Sequence, residues 1–415
     1  MKKNWFTSGV VCLFCSILTF VFFSCTRSSV APVPVGNPAD SFKVTVTNGY
    51  GSGIYKTGDT VHVWSRECAA NETFDMWSGD TSFINNEWHS WFVMPAQNIN
   101  LSASFKAVNW TISYEKIKAV SNIKNVYYIF PPNQKGIVYL FHGANGSASY
   151  WVNNYEPNAL IKDLVASGFA VIITEAEEVT LNKDTNGDGE LRWVANVLDS
   201  VSNIDFANLK AITDTFYNRK LINRTLPRFC IGQSNGGSCS IAFATTFKFN
   251  AAAAYCAAGG AAGNSFSITT SAIQFCLEQF DNNSTMGPTG NASAITNSQT
   301  LKSKGICSRY FVNISSPLYP ERFARNSLIS KTLSTQIFTE IQNNGLLKID
   351  NKFIGYESNL WTAVKASPQR FPVLSSLNTA QQGVVSEQLN CTTTAHQFYS
   401  DHNKLTIRSF TNPCY

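Results

Sequence analysis

Charged residues are scarce in this chain: only 14% of its 415 residues are Asp, Glu, Lys or Arg, and the basic ones never gather beyond a pair. A nucleic-acid groove or a patch for anionic lipid clusters its Lys and Arg, whereas the net charge of +5, from 32 basic and 27 acidic residues, is dispersed. Nucleic acid is therefore not an expected partner. Histidine is scarcer still, at five residues, so the choice of any catalytic base is nearly one of elimination. Beyond residue 25 there is no Cys-x-x-Cys pair and no His–Cys spacing of the kind that holds zinc. What is abundant is Asn, Ser and Thr, with 13% aromatics and 44% hydrophobic residues. That is a globular composition, long enough for one large domain and a smaller one.

The N-terminus reads as an export signal: Lys2 and Lys3 precede an apolar run from Val10 to Phe23 that is short for a membrane span. Ser24-Cys25 at its end resembles a bacterial lipobox, with Phe22 where leucine is usual. Residues 1–24 are thus expected to be a signal peptide, Cys25 a lipidation site, and 25–41 a Pro-containing linker. The expected location is the bacterial cell envelope, or outside the cell if the lipid is absent, with the membrane met only through the anchor. Cys12 and Cys15 fall in the signal. The other eight cysteines are Cys68, Cys230, Cys239, Cys256, Cys276, Cys307, Cys391 and Cys414, an even number in an oxidising compartment. Cys391 and Cys414 bracket the last segment and are the expected bridge; several others sit in apolar segments as buried thiols.

Residues 42–107 alternate apolar and polar residues, as in "FKVTVTNGYGSGIYKTGDTVHVW", with Asn-Gly and Gly-Asp turn signals. This is the pattern of a small all-β module. The succession GxGxYxxGDxV, FxxWSGD, MPAxNxxLxAxF resembles the internalin-type B-repeat of bacterial surface proteins. The resemblance implies a spacer or adhesion element, with cell-surface or glycan contact as its role. Trp77, Trp88 and Trp91 are the aromatic candidates for such contact, although core or strand-face positions are the expected reading for them.

From about 108 to 415 short apolar runs such as "GIVYLF" (136–141), "FAVII" (169–173) and "RFCIG" (228–232) alternate with helical stretches. Buried strands without alternation, separated by amphipathic helices, mean an α/β chain with a mainly parallel sheet covered on both faces. Gly232-Gln233-Ser234-Asn235-Gly236 follows one such strand and fits G-x-S-x-G, the sharp strand-to-helix turn that presents a nucleophilic serine. The amide of Asn235, next in the chain, is one expected oxyanion donor, and the amide of Ala144, in the His-Gly turn after "GIVYLF", is the other. His142 then shapes that loop. His62 and His89 lie in the β module, which leaves His396 and His402 as bases; His396 stands in a loop, His402 within the helical "QFYSDHNKL" as a surface residue. The orienting acid should follow a later strand. Asp281, in the turn after "AIQFCLE", is preferred; Glu278 lies within that strand, and Glu321 follows the next one as the rival.

Together these pieces resemble the α/β-hydrolase superfamily. Within it, "SNIDFANLKAITDTFYNRKLINRTLPRFCIGQSNGG" is similar to the stretch leading to the elbow in polyhydroxybutyrate depolymerase-like and feruloyl or acetylxylan esterases. The resemblance implies an exported serine esterase acting through Ser234, Asp281 and His396 on polysaccharide-linked or polyester substrates, with no cofactor required. The 115 residues between Asp281 and His396 depart from the usual short connection, so about 317–390 reads as an insertion near the site, a lid or substrate-binding subdomain. The same residues would also serve a peptidase or lipase, and the β module leaves open an inactive hydrolase-fold adhesion protein. Finally, Asp184, Asn186 and Asp188 with Gly189 and the Glu190 carbonyl follow a calcium-loop order, D-x-N-x-D-G. Ala195 stands where a bidentate Glu is needed, and Asp199 is the only substitute, so any calcium there would be structural.

Overall fold

A computed structural model describes residues 40–109, 111–259, 265–412 and 414. The expected signal peptide and Cys25 lie outside the described residues, among which no helix is long and apolar enough to cross a membrane. Seven strands come first: β1 (Ser41–Thr47), β2 (Gly49–Tyr50), β3 (Gly53–Lys56), β4 (Thr60–Ser65), β5 (Glu72–Gly79), β6 (His89–Val93) and β7 (Ile99–Ala107). They form one sheet in the order β3-β1-β7-β5 and another in the order β2-β4-β6. The period-2 alternation acts as it should: in β1, Val44 and Val46 are buried while Lys43 and Thr47 are exposed. Val61, Val63, Trp64, Trp77, Phe92 and Ile99 join them in the core between the sheets. Trp77 and Trp88 are buried, whereas Trp91 on the outer face of β6 is 44% exposed.

A second group of strands builds one large sheet: β8 (Ser113–Lys118), β9 (Ile123–Ile129), β10 (Gly136–Phe141), β11 (Phe169–Ile173), β12 (Arg228–Gln233), β13 (Ala251–Tyr255), β14 (Ala272–Glu278) and β15 (Ser308–Asn313). Its order is β15-β14-β13-β12-β10-β11-β9-β8. The six strands from β10 to β15 are parallel to their neighbours, and β9 and β8 close one edge antiparallel. β10 and β11 are buried at every residue, because both sheet faces are covered. Ile137, Tyr139 and Phe141 point to the layer of the helices Ile204–Asn218 and Asn235–Phe247. Val138 and Leu140 point to the opposite layer, which holds Leu160 and Leu164 of the helix Tyr155–Ala166 and Phe410 of the helix Asn403–Thr411. Each such side chain taken from water contributes about 1.5–3 kcal/mol. The architecture is α/β-hydrolase-like, preceded by two small β-sheets.

Residues 317–390 are helical and carry their own apolar cluster, including Leu318, Phe323, Ile337, Leu360, Leu374 and Leu389. The helix Lys331–Asn343 starts at Ser330, whose side chain accepts the Leu333 N–H, and ends ahead of Gly345 at φ 72°. The final helix runs on to Thr393, three residues before His396. This layer is bolted to the sheet by buried charge. The Glu387 carboxylate accepts the Tyr155 and Glu156 N–H groups at 3.2 and 3.0 Å, and Arg325 Nε lies 3.5 Å from Glu156. The Arg325 guanidinium also sits 3.3 Å above the Trp88 ring, so the small β-sheets share the same bolt.

Two expectations are corrected here. Cys414 bridges to Cys307, with Cα atoms 4.9 Å apart, and not to Cys391. Cys391 is free and buried in the last turns of the helix Thr379–Thr393, where its Sγ faces the Phe398 carbonyl. Cys307 instead lies directly before β15, the strand at the sheet edge, within reach of Cys414. The "QFYSDHNKL" segment is also not helical throughout: the helix begins at Asn403, and His402 is the residue ahead of it, partly buried, with its Nδ1 3.2 Å from the Tyr399 hydroxyl.

Candidate active site

Ser234 stands between the end of β12 and the start of the helix Asn235–Phe247, at φ 56° and ψ −123°. A non-glycine residue held at positive φ carries strain, and the flanking glycines show what the turn requires. A Cβ on Gly232 would collide with the Gly236 carbonyl, one on Gly236 with the carbonyls of Phe141 and His142, and one on Gly237 would come within 2.7 Å of Ala257 Cβ. The Ser234 N–H is fixed by the Tyr255 carbonyl of the neighbouring strand at 2.8 Å. The turn thus lies beyond the carboxyl ends of the central strands, where open α/β sheets place their ligands.

Ser234 Oγ lies 2.9 Å from His396 Nε2, and His396 Nδ1 lies 2.9 and 3.0 Å from the two oxygens of Asp281. The carboxylate side chain is fully buried and the imidazole 14% exposed. Asp281 follows β14 in a turn where its Oδ1 accepts the Asn283 N–H. Asn282 next to it accepts the His396 N–H at 3.0 Å, a positioning contact that nothing in the sequence flagged. Glu278, three residues earlier, is wholly buried, and burial pushes its carboxyl well above the usual range, with the Asp401, Asp281 and Glu156 charges adding to this. Glu321 is not brought to His396; it begins the short turn Arg322–Arg325 and faces a different cleft. Cys256 is close: its ligand atom and those of Asp281 and His396 lie within 4.8 Å of one another. Burial raises its thiol well above the ordinary value, so it is no rival nucleophile. Its Sγ meets the Gln397 carbonyl at 3.2 Å.

Asn235 is the first residue of its helix, so its N–H has no partner within the helix. Ala144 is the second residue of a turn closed by Gly146 N–H to Gly143 O at 3.0 Å, a turn that leaves the Ala144 amide unused. That turn is pressed on the elbow, since a Cβ on Gly143 would meet the Gln233 side chain. His142 holds it from beneath: Nε2 accepts the Ala176 N–H at 3.1 Å, so Nδ1 carries the proton and donates to the Gly143 carbonyl at 2.7 Å. Burial holds this imidazole down to about 4, so it stays neutral at ordinary pH.

The segment Leu191–Trp193 ties both amide-bearing turns together. Leu191 N–H reaches Asn145 Oδ1 at 2.8 Å, Trp193 N–H reaches Asn235 Oδ1 at 2.8 Å, and Trp193 Nε1 donates to the His142 carbonyl at 3.0 Å. Asp205 completes the clamp by accepting the Glu177 and Val194 N–H groups at 2.7 and 2.8 Å. Directly before it lies the Asp/Gly-rich loop. There Asp184 accepts the Asn186, Gly187 and Gly189 amides, Asn186 accepts Asp188 N–H, and Asp188 accepts Glu190 N–H. Arg192 pairs with Asp188 and Glu190. Asp199 is engaged in its own turn with Val201 and Ser202. The loop's side-chain oxygens thus meet backbone amides and a guanidinium, and the loop delivers the chain to the clamp.

No family model matches the chain, and no curated protein matches it. Solved structures do. A dienelactone hydrolase from Anabaena variabilis is 15% identical, over 55% of this chain and 97% of its own, with a TM-score of 0.39. A ferulic acid esterase is 14% identical over 49% and 89%, with a TM-score of 0.36. Est1E from Butyrivibrio proteoclasticus is 11% identical over 49% and 89%, with a TM-score of 0.35.

Proposed function

We propose that this chain is a serine hydrolase of carboxylic esters, with Ser234 as nucleophile, His396 as general base and Asp281 as the acid that orients it. The observation that carries the reading is the continuous contact from Ser234 Oγ through His396 to Asp281, at 2.9 Å on both sides of the ring, with the serine at positive φ. In this reaction His396 Nε2 takes the Ser234 proton as Oγ attacks the ester carbonyl carbon. The carbonyl oxygen becomes an oxyanion between the amides of Asn235 and Ala144. The proton on Nε2 then passes to the departing alcohol oxygen, leaving an acyl-enzyme. Water attacks that ester with the same base, and the acid is released. Asp281 accepts from His396 Nδ1 throughout and stabilises the imidazolium. No cofactor enters the reaction, and a calcium ion on Asp184, Asn186, Asp188 and Glu190 would be structural only.

Ser234 and His396 are both partly exposed, which favours esters carried on something larger than the site: acyl groups on polysaccharide, or a polyester. The export signal and Cys25 would place this chemistry in the envelope, held to the membrane by lipid. Labelling with a fluorophosphonate probe tests the reading. Ser234 is the expected modified residue, and Ser234→Ala abolishes labelling. A folded chain that does not label, or that labels equally after Ser234→Ala, sinks it in favour of a non-catalytic surface binding protein.

A further inference from the structure

Away from Ser234, Asp281 and His396, none of which lines it, a cleft of about 630 Å3 opens between β2–β4 and the segments 317–321 and 349–352. Its volume is that of an ordinary ligand site. We propose that this cleft binds a neutral oligosaccharide. The proposal does not rest on the ester-hydrolase reading.

One wall is aromatic and rigid. Tyr50 stacks on Tyr319 with ring centroids 5.1 Å apart, and Trp64 packs on Tyr319 at 4.6 Å. Tyr55 lies at the rim with its ring over Gly53, where a Cβ would come within 3.0 Å of Tyr55 Cε2, and its hydroxyl is tied to the Gly51 carbonyl at 3.0 Å. Flat rings with few rotatable bonds, already pinned, suit the C–H faces of sugar rings and lose little freedom on binding. Two polar groups on this wall lack partners among the described residues: Trp64 Nε1–H and the Tyr319 hydroxyl. Their residues are only 5% and 6% exposed. Both atoms are shielded from solvent, so the wall would meet a ligand through ring surface and not through these two groups.

His62 gives the cleft a fixed polar group. Its Nδ1 lies 3.0 Å from His89 Nε2, and His89 Nδ1 lies 2.6 Å from Asp401. Burial first, then His89 and Lys352, hold the His62 imidazole down to about 3, so it is neutral. The contacts from His62 through His89 to Asp401 hold the His62 ring in place. With Nδ1 engaged by His89, His62 Nε2 is the ring nitrogen left for a ligand. Glu321 and Asn351, from the facing segments, add a carboxylate and an amide, the usual partners of vicinal hydroxyls. Asp350 is offset by Lys352, whose Nζ lies 3.6 Å away, so the lining keeps one negative charge from Glu321 and disfavours an anionic glycan. Ile349 stands fully exposed beside the cleft, an apolar side chain left for a ligand to cover.

The test is isothermal titration of the full Ser234→Ala chain, which removes turnover, with cellohexaose, xylohexaose and mannohexaose as probes. At least one is expected to bind saturably with Kd below about 1 mM. Tyr55→Ala and Glu321→Gln, both at partly exposed positions, should each weaken that binding by about tenfold, while Trp91→Ala, outside the cleft, leaves it unchanged. Saturation by none of the three sugars overturns the proposal. So does binding that survives Tyr55→Ala and Glu321→Gln unaltered, or that is lost in Trp91→Ala.

Discussion

Two carboxylate–imidazole pairs are built into this chain, and they differ in what stands at their far end. Asp281 and His396 meet at 2.9 Å and lead to Ser234; Asp401 and His89 meet at 2.6 Å and lead to a second imidazole, His62. The two pairs are about equally buried, with side chains 14% and 0% exposed in the first and 5% and 9% in the second. Burial opposes ionisation of Asp401, but the His89 hydrogen bond and the charges of His89, Arg322 and His402 outweigh it, and its carboxyl lies below the usual range. Both pairs orient a ring nitrogen. Only the first leads to a hydroxyl on a residue at positive φ, and on the proposed reading the Asn235 and Ala144 amides serve that hydroxyl's reaction. An acid–base pair of good geometry is thus not by itself a catalytic signature; the proposed function draws on the backbone of Ser234 as well.

The sharpest way to break this contrast is to remove each pair in turn. Asp281→Asn should lower kcat/KM on p-nitrophenyl acetate by roughly 10⁴-fold, and Ser234→Ala or His396→Ala by at least as much, with unfolding midpoints close to the parent's. His89→Leu should do the reverse. It strands a buried Asp401 and costs about 3–5 kcal/mol in denaturant unfolding, with ester turnover unchanged at temperatures where the variant is folded. If His89→Leu abolished turnover in folded protein, the two pairs would not be separable.

Smaller effects sharpen it further. Trp193→Phe keeps the ring packing but deletes the indole donor to the His142 carbonyl. Turnover should fall by about tenfold with little change in KM, because an oxyanion turn displaced by a fraction of an ångström matters in the transition state. An equal loss of stability and no loss of kcat would reduce the clamp to scaffolding. The smallest effect concerns pH. Burial and the neighbouring Glu156 push Glu387 up to about 7. A carboxyl raised in this way contributes its full stability below its unfolded value near 4.3, and loses it as pH climbs through 7. Melting temperature should therefore fall between pH 5 and 8, and Glu387→Gln should flatten that fall by about a degree or two per pH unit. A slope identical in both proteins would show that Glu387 ionises equally well folded and unfolded.

The elbow was legible because its G-x-S-x-G spacing is local: Gly232 is demanded by the Gly236 carbonyl four residues on, although Gly236 and Gly237 answer to Phe141, His142 and Ala257 from other segments. His396 was legible because so few histidines compete. Asp281 could be preferred over Glu321 from its turn, but only three-dimensional placement separates them. The clamp at Leu191–Trp193 was not legible, since its backbone groups recognise Asn145 and Asn235 whatever side chains it carries. The β8–β9 hairpin was also missed. "SYEKIK" and "IKNVYYI" bury few residues and form an edge, so they lack the apolar continuity that marked the central strands. The Cys307–Cys414 pairing depends on where the last helix delivers the chain, a long-range fact. His402 was misread for a related reason: Asp401, buried by tertiary contact with His89 and not by any local pattern, holds that stretch out of the helix.

The base sits 162 residues beyond the serine, after a helical layer with its own apolar cluster. In the order of synthesis, a chain interrupted anywhere before residue 396 would carry the elbow sequence but lack the proposed proton acceptor. Contacts that close such long stretches form late. On the proposed reading, competence would therefore wait on the arrival of His396, and fragments that stop short of it would turn over no ester.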